Sequence, residues 1–173
     1  ITAQPVQPIV QARRRVIEVL AAHGFHETVT FSNLPAKDAE PFFEPPMTPA
    51  KLDDERRRAE PVLRPSVLPS LLRVRKGNQD VGNDDVRLFE LAGVYAVKDG
   101  EYAESRDLAL LMDGGDDQAL REFRSTVEEI ARVVGKQIEI VEDADPTGAM
   151  SPAARAMDPD QPSRILGIYG PAT

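Results

Sequence analysis

The chain has 173 residues, 41% of them hydrophobic and 29% charged, with a net charge of −8, 15 prolines and no cysteine. The missing cysteines exclude disulfides, thiolate metal sites and cysteine nucleophiles, and the acidic balance argues against nonspecific nucleic-acid binding, which needs clustered cations. No apolar run reaches the ~20 residues that span a bilayer, and the first ten residues, ITAQPVQPIV, have neither a basic start nor an apolar h-region. The expectation is therefore a cytoplasmic protein with no membrane partner, one domain over residues 1–173, cut from a longer chain that would supply the initiator Met.

The elements follow in chain order. Pro8 suits a first helical position, where its missing N–H costs nothing. A helix is predicted from there to about His23, with Gly24 as its stop. Ile9, Val16 and Leu20 form one apolar stripe and Val10 and Ile17 a neighbouring one, with Arg13, Arg14 and Arg15 between them. Residues 25 to 32, FHETVTFS, are predicted as a strand with Phe25, Glu27, Val29 and Phe31 on one side and His26, Thr28 and Thr30 on the other. Six prolines between residues 33 and 61 rule out a long helix or a central strand. That span is expected to be a loop or insertion, pinned by Phe42 and Phe43, with a short exposed helix at AKLDDERRRAE.

The stretch VLRPSVLPSLLRVRKGNQD opens with an apolar pair, places Arg64 before a proline and carries a second proline, Pro69. Pro65 biases Arg64 toward extended backbone. Ser66 is expected to cap a helix with Pro69 at N3, inside a first turn that tolerates it. Leu68, Leu71 and Leu72 face the core, and the helix ends near Asn78.

In DVRLFELAGVYAV, Leu88, Glu90 and Ala92 are predicted to face one way and Arg87, Phe89 and Leu91 the other. Gly93 is expected to break this strand, and a second one to run to a turn at Asp99–Gly100. DLALLMDG reads as a third strand, central in a sheet because it has few polar residues. A helix capped by Asp116 or Asp117 carries Leu120, Phe123, Val127, Ile130 and Val134 on one face and stops at Gly135. QIEIV is a strand, Glu142 to Pro162 a loop, and RILGIYG a final strand. Adjacent strands joined by tight turns, with helices to cover them, make an α+β fold.

The sequence offers little chemistry. There is no Gly-rich phosphate loop and no G-x-S-x-G elbow. His23 and His26, the two histidines, lack a third ligand at a usable spacing and read as surface residues without a metal. Glu90, a carboxylate inside an apolar strand, reads as a ladder or edge residue rather than a base. Its natural partner is Arg64, with Asp85 as the other carboxylate that Arg64 could pair with.

Three blocks carry a resemblance. RRRVIEVLAAHGFHETVTFSNL, PVLRPSVLPSLLRVRKGNQD and DDVRLFELAGVYAV follow one another in the order and spacing of the synthetase-like core of phenylalanyl-tRNA synthetase β subunits. The first block contributes Gly24, Phe25, Glu27, Thr30, Phe31 and Ser32. The second contributes Leu63, Arg64, Ser66, Leu68, Pro69, Leu71, Leu72 and Asn78, and the third Arg87, Leu88, Phe89, Glu90, Leu91, Val94 and Tyr95. Towards the end, GAMSPAARAMD is similar to the family's HPGRSA turn, with Pro152, Arg155 and Ala156 retained and Ser151 and Ala153 in place of its histidine and glycine.

The resemblance implies a class II aminoacyl-tRNA synthetase-like antiparallel sheet flanked by helices. It also implies a noncatalytic scaffold that packs on the α subunit in an (αβ)2 assembly. Nothing here would bind a cofactor; ATP and Mg would belong to the whole enzyme, as would tRNA. The chain has no arginine in a Gly-x-Gly-x-x-Arg context, which a class II third motif would need. The residues this assigns to a subunit interface or to structure are Arg13, Val16, Ile17, Leu20, Arg64, Leu68, Leu71, Arg87 and Glu90. A self-contained class II-like ATP-binding ligase domain and an unrelated protein-interaction module are the competing expectations.

Overall fold

A computed structural model describes residues 6–43, 46–114 and 116–136, together with the backbone of strands at 139–143, 153–158 and 161–169. The chain divides into two compact units, residues 1–25 with 114–173 and residues 26–113.

In the first unit, helix α1 (Pro8–Ala22) packs on helix α4 (Asp117–Val133). Pro8 begins α1 as predicted, and Gly24, at φ 78°, takes the left-handed conformation that releases the chain from the helix. Val16 and Leu20 are buried, and Phe25 meets Phe123 at a ring separation of 6.4 Å. Asp116 is the residue that caps α4: its Oδ1 accepts the Ala119 N–H at 2.8 Å. His23 is not an idle surface residue. Its Nε2 lies 2.8 Å from Glu129 Oε2 and its Nδ1 3.1 Å from Thr126 Oγ1, which fastens the end of α1 to α4.

Three antiparallel strands complete this unit, β6 (Glu139–Asp143), β7 (Ala153–Asp158) and β8 (Gln161–Tyr169), in the order β6-β7-β8. The span from Glu142 to Pro162 is therefore not a continuous loop, since β7 lies inside it. Pro162 is tolerated because it falls second in β8, which is an edge among the described strands, where a missing N–H need not break a ladder. Gln137 and Ile138 of the predicted QIEIV strand lie outside the described residues.

The second unit carries the sheet β1-β4-β5. β4 (Arg87–Lys98) and β5 (Glu101–Met112) form one long antiparallel hairpin. Its turn is Asp99–Gly100, with φ 53° and 82°, the two positive values a type I′ turn requires. Gly93 does not interrupt β4; it pairs with Arg106, and its missing side chain leaves room for the Tyr95 ring, whose hydroxyl would lie 2.8 Å from an added Cβ. β4 holds the centre and β5 an edge among the described strands, the reverse of the expectation that Asp107–Met112 would be central. Apolar content misled here: β5 is buried only at Leu111, and its half near the turn is exposed.

Helix α3 (Leu68–Gln79) covers one face of this hairpin, and Val67, Leu71, Val86, Leu88, Val94 and Leu111 form the core between them. The helix starts one residue later than predicted, so Pro69 falls at its second position rather than its third, still within the turn whose N–H groups lack partners. Ser66 does supply a hydroxyl there, accepting the Leu68 N–H at 3.2 Å.

The proline-rich span is folded down rather than loose. β2 (Asn33–Leu34) pairs with β3 (Val62–Leu63), and α2 (Ala36–Ala39) follows β2. Leu34, Ala39 and Val62 make a small core of their own, with Phe43 packed on it. The short helix expected near residue 55 is a single 3-10 turn, Glu55–Arg57, capped by Asp54.

Candidate functional site

β1 is the shortest strand of the second unit's sheet. Only His26 and Glu27 pair with β4, in parallel, opposite Leu88 and Phe89. The predicted strand over residues 25–32 thus leaves the ladder after Glu27. The alternation persists beyond it: Thr28 and Thr30 turn inward, while Val29 and Phe31 are 94% and 78% exposed.

Polar side chains explain the inversion. Thr28 donates its N–H to the Phe89 carbonyl at 2.8 Å and its hydroxyl to the same oxygen at 3.1 Å. One position on, the partner is no longer backbone. Both oxygens of the Glu90 carboxylate take Thr30, Oε1 from its N–H at 3.2 Å and Oε2 from its hydroxyl at 2.7 Å. Glu90 is 3% exposed and Arg64 2%.

The guanidinium closes the cluster. Arg64 Nη1 donates to Glu90 Oε1 at 3.1 Å and to Thr30 Oγ1 at 2.8 Å, and Nε donates to the Gly93 carbonyl at 2.9 Å. Its backbone is used as well: Arg64 N–H donates to Ser32 O and Tyr95 N–H donates to Arg64 O. Arg64 thus ties the segment after β1 to the middle of β4 by main chain and side chain together. Pro65, next in the chain, biases Arg64 toward an extended backbone. Of the two carboxylates weighed from sequence, Glu90 is the partner.

The other residues singled out from sequence scatter. Val16 and Leu20 are buried in the first unit and Leu71 in the second, so these three do not offer a surface. Leu68 is half-buried against the core. Ile17 and Arg87 are half-buried too, while Arg13 is exposed. On α1 the exposed apolar residues are Ile9, at 72%, and Val10. Val29, Phe31 and Thr30 were missed as site residues. The available signal was the pair of threonines at alternate positions opposite apolar ones, facing a strand that carries a lone glutamate.

Beside the exposed edge lies an open cleft of about 380 Å³, lined by Val29, Thr30, Phe31, Leu34, Ser70 and Arg73 among others. No group of three or more His, Asp or Glu side chains among the described residues is close enough to hold a metal ion. No helix among them is long and apolar enough to cross a membrane.

Comparison with known proteins decides the family. The model of the phenylalanyl tRNA synthetase beta chain CLM domain matches residues 1–162. The chain belongs to this family. The phenylalanine–tRNA ligase beta subunit of Mesorhizobium japonicum is 41% identical over 86 residues, 49% of this chain and 11% of that protein. That of Zymomonas mobilis is 38% identical over 104 residues, 58% of this chain and 12% of its own. That of Novosphingobium aromaticivorans is 33% identical over 114 residues, 65% and 14% respectively. The match thus spans a small part of each curated relative.

Among solved structures, PylSc of Desulfitobacterium hafniense, a pyrrolysyl tRNA synthetase, superposes with a TM-score of 0.67 at 18% identity, over 88% of this chain and 55% of that one. A histidine–tRNA ligase subunit of Alicyclobacillus acidocaldarius gives 0.60 at 14% identity, over 81% and 43%. The fold is α+β and class II aminoacyl-tRNA synthetase-like, as the resemblance implied.

Proposed function

We propose that this chain is a noncatalytic scaffold segment of a phenylalanine–tRNA ligase β subunit. It would pack on the α subunit within an (αβ)2 assembly and so support the ATP-dependent attachment of phenylalanine to its tRNA. ATP, Mg and tRNA would be handled by the whole cytoplasmic enzyme, with the chemistry on other parts of it.

The observation that carries this proposal is where the charge on the central strand goes. In a domain that binds a nucleotide on its sheet, cationic side chains must remain free to meet phosphate. The buried cation behind β4 is Arg64, and it is held by Glu90, Thr30 and Gly93 of its own chain. The chain presents apolar groups instead: Val29 and Phe31 on the second unit, Ile9 on the first. Val29 and Phe31 line a cleft, and exposed apolar side chains of this size suit a partner protein better than solvent.

The test is co-purification of the full β chain with its α subunit. The expected result is a stable complex that V29S/F31S weakens. Failure of the full β chain to associate with the α subunit overturns the proposal. A self-contained ligase domain would instead bind ATP without the α subunit.

A further inference from the structure

Helix α3 brings two unused polar groups to the cleft of the second unit. Ser70, in the first turn of the helix, lines the cleft and is 4% exposed. Among the described residues, its Oγ is the one buried side-chain nitrogen or oxygen without a hydrogen-bond partner. A hydroxyl so placed lowers stability, because it gives up water and gains no bond within the chain. Arg73 follows three positions later, on the same side of the helix, and lines the same cleft. Its Nη1 donates to Glu60 Oε1 at 3.0 Å. Among the described residues nothing bonds its Nε or Nη2. Those two groups form the edge of a guanidinium that holds a carboxylate side-on by two parallel bonds.

We propose that this cleft binds a small carboxylic acid with an apolar body. The carboxylate meets the Nε/Nη2 edge of Arg73 and takes the Ser70 hydroxyl as a third donor. The hydrocarbon lies against Leu34 and Val74, which also line the cleft. A volume of about 380 Å³, with apolar walls and a few convergent polar groups, is what a small-molecule site requires. Glu60 narrows the choice of ligand. Its carboxylate already faces one side of the Arg73 guanidinium, so one further negative charge is matched there and a second one is repelled. A monocarboxylate therefore fits better than a phosphate. A cation finds no acceptor on Arg73, whose free groups are all donors. The site is independent of the docking role proposed above.

The experiment titrates octanoate into the full β chain, read by ligand-observed NMR, with octanamide as the uncharged match and octyl phosphate as the more highly charged one. Octanoate is expected to saturate with a Kd of about 1 mM or below, and the other two to bind at least about tenfold more weakly. R73K keeps the charge and removes the side-on edge, so it should weaken octanoate about tenfold. S70A should weaken it about fivefold and yet raise the melting temperature, since it removes a buried hydroxyl that has no partner. E60Q should tighten binding about threefold by removing the competing carboxylate. Failure of octanoate to saturate by about 10 mM, or equal binding of octanamide, overturns the site. Wild-type affinity in either R73K or S70A refutes the assigned geometry. An S70A chain that melts below wild type refutes it as well, because the hydroxyl would then serve the fold.

Discussion

Glu90→Leu tests the buried cluster most sharply. The substitution removes a carboxylate that is 3% exposed and accepts three hydrogen bonds, two from Thr30 and one from Arg64. Arg64 remains, 2% exposed, without its carboxylate partner. Breaking one side of a buried pair costs about 3–5 kcal/mol, because the surviving charge stays desolvated. For a chain of this size each kcal/mol corresponds to about 2–4 °C, so thermal unfolding followed by circular dichroism should move down by roughly 6–20 °C. R64M/E90L, which leaves no orphan charge, should recover most of that loss. A Glu90→Leu variant that melts within about 2 °C of wild type would show that Arg64 does not depend on Glu90, and the account of the cluster would be wrong.

Other consequences are milder. Leu71 is fully buried in the core under α3, and Leu71→Ala should cost about 2–5 kcal/mol in urea unfolding. Asp116→Ala removes the cap of α4 and should cost about 1 kcal/mol by the same assay. Gly100→Val places a β-branched residue at φ 82° in the hairpin turn and should lower the melting temperature, whereas Gly100→Asn should be tolerated better. Asp107 is exposed as a residue, yet partial burial pushes its carboxyl above the usual 3.8, with the Ser105 hydroxyl pulling the other way. A raised acid favours folding while protonated and loses that advantage as pH rises through its folded value. Asp107→Asn should therefore raise the melting temperature slightly at pH 7 and leave it unchanged near pH 3, where the aspartate is itself protonated.

Where the sequence was legible, one force dominated. Helix α1 from Pro8, helix α4 behind Asp116 and the Asp99–Gly100 turn follow from proline, cap and glycine chemistry that acts within a few residues. Leu71 and Leu88 were recognisable as core because periodicity and burial agree. The strand after Phe25 was legible in its alternation and illegible in its direction. Nothing local says that Val29 and Phe31 should face out, or that Thr30 should meet Glu90, sixty residues away, and Arg64. β5 misled for a related reason, since an apolar run reports capacity for burial, not whether another strand lies on its far side. Gly93 looked like a breaker because its use, making room for Tyr95, depends on a side chain two positions on in a strand already formed. The Arg64–Glu90 pair itself was within reach, because a lone arginine and a lone glutamate in two apolar segments have few other partners.

The scaffold role stands or falls on nucleotide binding. Calorimetric titration of Mg·ATP into the β chain, without the α subunit, measures it directly. With Arg64 committed to Glu90, Thr30 and Gly93, the account predicts no saturable heat up to about 1 mM nucleotide. Saturable binding in the micromolar range, lost on substitution within β4, would contradict it.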